Sequence, residues 1–312
     1  MTKNWGRWGE NDQLGALNLI TPEKRAAALQ VPTAGQVYSL AQNIQPGGVP
    51  MIKDGARGVF MRPVHMMIYD GGDECCGMPT RGDNYFSAED MLSMRIHGTA
   101  THIDGLAHGW KHGQLFNGYP SSSVNSFGAQ QLGIENVQQI VTRGLLFDVA
   151  RAKGVKHLPA GYAITIEDLQ ACGAPSVEPG DAILVRTGWY NVFYGDDPEH
   201  YHDPRPGVSA DAALWLADQD IVLLGCDNTG VEVVPIEYGG SSSSHSSPAD
   251  AKAGGFGSPV HSSLLRDYGI YLLELLVLEE LSAADVVEFL FVLAPLRITG
   301  GTGSPVNPLA IA

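Results

Sequence analysis

The chain has 312 residues, with 34 acidic side chains against 19 basic ones, a formal charge of −15 and a pI near 4.9. A surface this acidic repels phosphate backbones and anionic head groups, which excludes nucleic acid and membrane surfaces as partners. Hydrophobic residues at 44% and charged ones at 17% are ordinary for a globular protein, and a chain of this length buries enough apolar surface to fold without disulfides.

No run of apolar residues is long enough to span a bilayer, and the opening residues, Met1 to Asp12, lack the apolar core of a signal peptide. The four cysteines, Cys75, Cys76, Cys172 and Cys226, form no C-x-x-C pair. They are expected to be reduced thiols of a cytoplasmic protein.

After an N-terminal arm of about 20 residues, Thr21-Pro22 opens a helix that runs to Leu29, a capping residue followed by a proline suited to the first turn. Glycine- and proline-punctuated segments follow to about residue 90, with a short candidate strand at Gln36–Leu40. Met61, Met66 and Met67 are expected to fill core gaps or line a pocket. Leu145–Val149 has strand length and composition. Thr165 with Asp168 three residues on resembles a capping box ahead of a short helix. Ala182–Arg186 and Ile221–Gly225 are continuous apolar runs, as expected of strands buried on both faces. Between them Ser209 caps a helix through Ala217, and Val286–Leu293 is a last apolar run, ended by Pro295. Strands separated by short helices predict a mixed α/β architecture. A Gly/Ser-rich stretch, about 239–258, reads as either a surface loop or a lid.

Four of the ten histidines fall between His97 and His112. Imidazole and carboxylate are the ligands that borderline divalent metals prefer. On an extended strand His102 and Asp104 share a face because side chains alternate, so His-x-Asp supplies two neighbouring ligands. His108, beyond the flexible Gly105, is placed to fold back as a base or a further ligand. His97 lies five residues before His102 and would face the other side unless a bulge at Gly98 restored the facing. No Gly-x-Ser-x-Gly elbow supports a serine hydrolase. Asp227, in Asp227-Asn228-Thr229-Gly230 at the end of an apolar run, suits a turn as well as a site. Arg186 suits a structural ion pair as well as substrate binding. Trp5 and Trp8 suit packing.

The segment Thr101-His102-Ile103-Asp104-Gly105-Leu106-Ala107-His108 resembles the core motif of the cyclase superfamily, which includes bacterial kynurenine formamidases and isatin hydrolases. Further resemblance lies in Trp8-Gly9-Glu10-Asn11-Asp12 with Gly15-Ala16-Leu17-Asn18, in Gly180–Trp189, in Asp227-Asn228 with Glu232, in His261 with Glu274, and in Ala294-Pro295-Leu296. The sequence departs from the motif in carrying Gly98 where the first histidine belongs, with His97 one residue early, and Ala100 in place of a glycine.

The resemblance implies one domain over residues 1–312, an α/β fold with a mixed, barrel-like central sheet flanked by helices. It implies His102 and Asp104 as metal ligands, with His97, His261 and Glu274 as candidates and one or two manganese or zinc ions. It implies His108 as the catalytic base, and a homo-oligomer, dimer or tetramer, in which N-terminal aromatics such as Trp8 help close a partner's pocket. The expected activity is hydrolysis of an amide, lactam or imide bond in a small cyclic or N-acyl substrate, by water made nucleophilic at about neutral pH beside a divalent ion. A lactonase or lyase using the same site, and a binding protein whose site has decayed, are the alternatives.

Overall fold

The structure is a computed structural model that describes residues 3–45, 63–79, 82–192, 204–235 and 259–312. In chain order the described strands are β1 (Val37–Ser39), β2 (Val64–Tyr69), β3 (Glu89–Ser93), β4 (His102–Asp104), β5 (Val124–Asn125), β6 (Gly128–Ala129), β7 (Ile140–Asp148), β8 (Ala163–Ile164), β9 (Ala182–Arg186), β10 (Gly207–Val208), β11 (Leu223–Cys226), β12 (Tyr271–Glu274), β13 (Glu288–Leu293), β14 (Gly303–Pro305) and β15 (Leu309–Ile311). Nine of them form one mixed sheet in the order β1-β15-β13-β7-β9-β11-β12-β4-β14, curled into a half-barrel with helices against it. The central run β7-β9-β11-β12 is parallel, and the pairings outside it are antiparallel.

Every residue of β9, β11 and β12 is buried, which is why these strands are written as continuous apolar runs. Strand β7 begins five residues earlier than its apolar run suggests, because Ile140–Arg143 alternate between buried and half-buried positions. Helix starts follow the capping chemistry of the sequence. Thr21 caps Pro22–Ala28, Thr165 and Asp168 form a reciprocal capping box on Ile166–Gln170, and Ser209 caps Ala210–Ala217. Among the described residues no helix is long and apolar enough to cross a membrane. All four cysteines are free, with Cys226 buried.

One expectation is corrected. Met66 and Met67 do not fill the core. They lie on β2, which among the described residues pairs only with β3, and every residue of these two strands is exposed. Met61 and the Gly/Ser-rich stretch lie outside the described residues.

Across the β7–β13 pairing Phe289 faces Gly144, and the fully buried Phe289 ring covers the glycine so closely that a Cβ there would collide with it. Overpacking of this kind costs about 1–3 kcal/mol. Gly144→Ala is therefore expected to lower the unfolding free energy by that amount, read as a lower urea midpoint, and an unchanged midpoint would mean that the ring has room to move.

Candidate metal centre

Strand β4 is three residues long and is held on both sides, by β12 and by β14. Its pleat puts His102 and Asp104 on one face and the fully buried Ile103 on the other. The register sets Glu274 opposite His102. As a result His102 Nε2 lies 3.5 Å from Asp104 Oδ1 and 3.6 Å from Glu274 Oε2. The other ring nitrogen, Nδ1, is 2.8 Å from the Ala100 carbonyl. A carbonyl only accepts, so the proton sits on Nδ1 and the Nε2 lone pair faces the carboxylates.

His261 comes in from a helical segment that starts at Pro259. Its Nε2 is 3.2 Å from Glu274 Oε1 and 3.5 Å from Asp104 Oδ2. His97 takes its place without the expected bulge. It sits in a turn before β4, where Gly98 adopts φ +81°, a conformation glycine reaches freely. From there His97 Nδ1 meets Asp104 Oδ1 at 2.7 Å and Nε2 meets Thr302 Oγ1 at 2.9 Å. His108 stacks on His97 with ring centroids 3.8 Å apart, and its ring makes no hydrogen bond to any described residue.

Charge is balanced inside this cluster. Burial alone would push the Asp104 carboxyl up, but His108, His261 and His97 together hold it well below the usual carboxylate range. Burial and Asp104 both push Glu274 up, and His261 with His102 bring it down below its ordinary value. Burial would lower His261, yet Glu232, Asp104 and Glu274 raise it well above an ordinary imidazole. Burial pushes His108 down to about 4, aided by His97 and His261 against the pull of Asp104 and Glu274.

The arrangement fits a divalent cation. His97, His102 and Asp104 offer ligand atoms within 4.8 Å of one another, and so do Asp104, His108 and His261. Asp104 Oδ2 is fully buried without a hydrogen-bond partner among the described residues, a costly arrangement for a carboxylate oxygen. Two imidazole nitrogens and two buried carboxylates facing one point form the donor set that zinc and manganese take once the ion displaces the proton of His261.

Of the residues marked in the sequence, the structure brings together His97, His102, Asp104, His108, His261 and Glu274. It does not bring Trp8, Arg186 or Asp227 to them. Arg186 is bound to Asp148 at 3.0 Å and to Glu279 at 2.9 Å, the structural ion pair. Asp227 is fully buried and accepts from the Thr187 and Gly188 amides at 2.9 and 2.8 Å. Burial and then Glu279 push its carboxyl up to about 6, against those hydrogen bonds. It braces the end of β9 rather than the histidines. Trp8 packs against the core of its own chain under the Arg7 guanidinium, 4.9 Å from the ring centroid. Two further residues touch the cluster without being candidate site residues of the sequence, Glu232 having entered only through the family resemblance. Thr302 carries no sequence signal. Glu232 carries one, an acid embedded in the apolar run Val231-Glu232-Val233-Val234.

Among solved structures, that of a novel cyclase is 35% identical to this chain, covers 99% of each chain and superposes with a TM-score of 0.85. Isatin hydrolase A from Ralstonia solanacearum is 21% identical, with 88% of this chain and 91% of that one covered and a TM-score of 0.61. A potential metal-dependent hydrolase with cyclase activity is 22% identical, with 88% and 98% covered and a TM-score of 0.52. At such identities the last two share the fold. Curated proteins gave no match. The family model named Cyclase matches residues 38–233, which take in β4 and the histidines around it. On that match and the 35% likeness over the full length, the chain belongs to the cyclase family.

Proposed function

We propose that this protein is a metal-dependent hydrolase that opens an amide, lactam or imide bond in a small cyclic or N-acyl substrate. One observation carries the reading. The Nε2 atoms of His102 and His261 converge on Asp104 and Glu274, where the buried Asp104 Oδ2 has no hydrogen-bond partner among the described residues. The amide class draws support from the isatin hydrolases among the structural relatives.

His102, Asp104, His261 and Glu274 would hold the ion, manganese or zinc, with His97 beside Asp104. A divalent ion there supplies Lewis acidity, bringing the pKa of water down to about 7 and polarising a carbonyl. His108 does the proton work. Burial keeps its ring neutral at physiological pH, so an imidazole nitrogen takes a proton from the attacking water and returns it to the leaving nitrogen. His97, stacked against it, fixes the plane of that ring.

The test is metal analysis of purified protein followed by a substrate panel of isatin, N-formylkynurenine, cyclic imides and lactones. Near-stoichiometric manganese or zinc is expected, with turnover lost on chelation and restored by adding the ion back. A folded protein that takes up neither ion and hydrolyses nothing in the panel overturns the reading.

We also propose that copies of the chain associate. Support comes from the β2–β3 pair, which exposes Val64, Met66, Ile68, Met91 and Leu92 and joins no other strand among the described residues, since a two-stranded hairpin by itself is marginally stable. Light scattering on the eluting protein is expected to give a multiple of the chain mass, and a monomer mass at micromolar concentration refutes it.

A further inference from the structure

Glu232 grips the His261 ring from the side away from the cluster. Its Oε1 lies 2.8 Å from His261 Nδ1, its Oε2 accepts from the Val260 amide at 2.8 Å, and it is almost wholly buried. A carboxylate offers acceptors only, so the proton between the two groups belongs to Nδ1. Nε2 is thereby turned towards Asp104 and Glu274, where an ion would displace its proton. Both oxygens are used. A glutamine in the same place has one acceptor and would leave either the Val260 amide or the imidazole unsatisfied.

The backbone around Glu232 is held as firmly as its side chain. Val231, the residue before it, is buried and sits at φ +59°. That conformation is an outlier for a β-branched residue, and it persists only where the surroundings over-determine it. The neighbouring β10 does so. Val208 N–H donates to Val231 O at 3.0 Å and Val233 N–H to Val208 O at 3.3 Å. Gly207 lies so close that any Cβ would overlap the Glu232 backbone. Strain of this kind, spent on aiming one buried acid at one histidine, needs more than packing to account for it.

We propose that Glu232 is a positioning residue that fixes the tautomer and plane of His261 and so sets how tightly the cluster holds its cation. The proposal rests on the metal reading above. A merely structural role, capping the Val260 amide, would leave ion affinity untouched.

The test is cobalt(II) titration of the full-length, chelator-treated protein, read by the visible absorption of the bound ion and by competition with a chelator. Carboxylate partners of ligand histidines are worth about 10- to 100-fold in affinity. Glu232→Ala is expected to weaken cobalt binding within that range, and Glu232→Gln by a smaller factor with a shifted absorption band. In a His261→Ala background the same Glu232→Ala change is expected to add less than about twofold, since its effect passes through that ring. Affinity within twofold of wild type in a folded Glu232→Ala protein overturns the proposal, and so does a loss of equal size with and without His261. If Glu232→Ala does not fold, Glu232→Gln carries the same comparison. A wild-type protein that takes up no cobalt sinks the metal reading first, a different failure from intact wild-type binding with indifferent variants.

Discussion

Asp104→Asn is expected to abolish both ion uptake and turnover while leaving a folded protein. Asp104 is the hub of the cluster, 2.7 Å from His97 Nδ1, 3.5 Å from His102 Nε2 and 3.5 Å from His261 Nε2. The substitution keeps the shape of the side chain and removes its charge. An amide nitrogen then stands where an anionic oxygen faced the imidazoles. Loss of an outer partner already costs about 10- to 100-fold in metal affinity, so removal of a charged ligand is expected to exceed the upper figure. Thermal unfolding separates ion loss from misfolding. Ion at a hundred times its dissociation constant stabilises the wild type by about 2.7 kcal/mol, and the variant should show no such shift. An Asp104→Asn protein that still gains stability from manganese or zinc would remove Asp104 from the ligand set.

Arg186→Ala is expected to cost stability and to spare catalysis. The guanidinium lies between Asp148 and Glu279, and these carboxylates, with Asp227, raise its pKa further against the lowering effect of burial. Asp148 also caps the helix Val149–Ala152 by accepting from the Arg151 amide, and it takes the Ser282 hydroxyl. Removing the arginine leaves two acids without their counter-charge. Breaking a buried pair from one side costs about 3–5 kcal/mol, and the lower end applies because the Glu279 side chain is 23% exposed. Urea denaturation reads the loss, and KM for whichever panel compound is turned over should stay within about twofold. A variant as stable as wild type with KM raised tenfold would return Arg186 to the substrate's path.

The legible part of this protein was local. Period-two alternation sufficed to pair His102 with Asp104, because β4 keeps its pleat although it is three residues long. Capping rules located three helix starts, since a cap needs only neighbours in sequence. His97 was legible as a candidate through the density of histidines, but the route differs. A strand with a bulge and a turn with a left-handed glycine deliver the ring to the same place, and the sequence does not separate them.

Sheet order was not legible. The neighbours of β4 are residues 271–274 and 303–305, and strands this short carry no periodicity of their own. The exposed hairpin β2–β3 defeats apolar patterning for the opposite reason, since its apolar residues point outward on both faces. Glu232 and Glu274 share a signal that composition alone does not interpret. Each is a single acid inside an apolar run; the family resemblance already set Glu274 with His261, and the fold adds that Glu232 meets the other nitrogen of the same ring.

The place of β4 between two late strands also sets when the cluster can come into being. Its six side chains span residues 97 to 274, and the second strand flanking β4 is finished only at Pro305. No fragment of the chain ending before Glu274 contains all six, whatever ions surround the ribosome. Pairings between such remote segments are slow to close, so an ion that needs all six side chains would be captured late in folding.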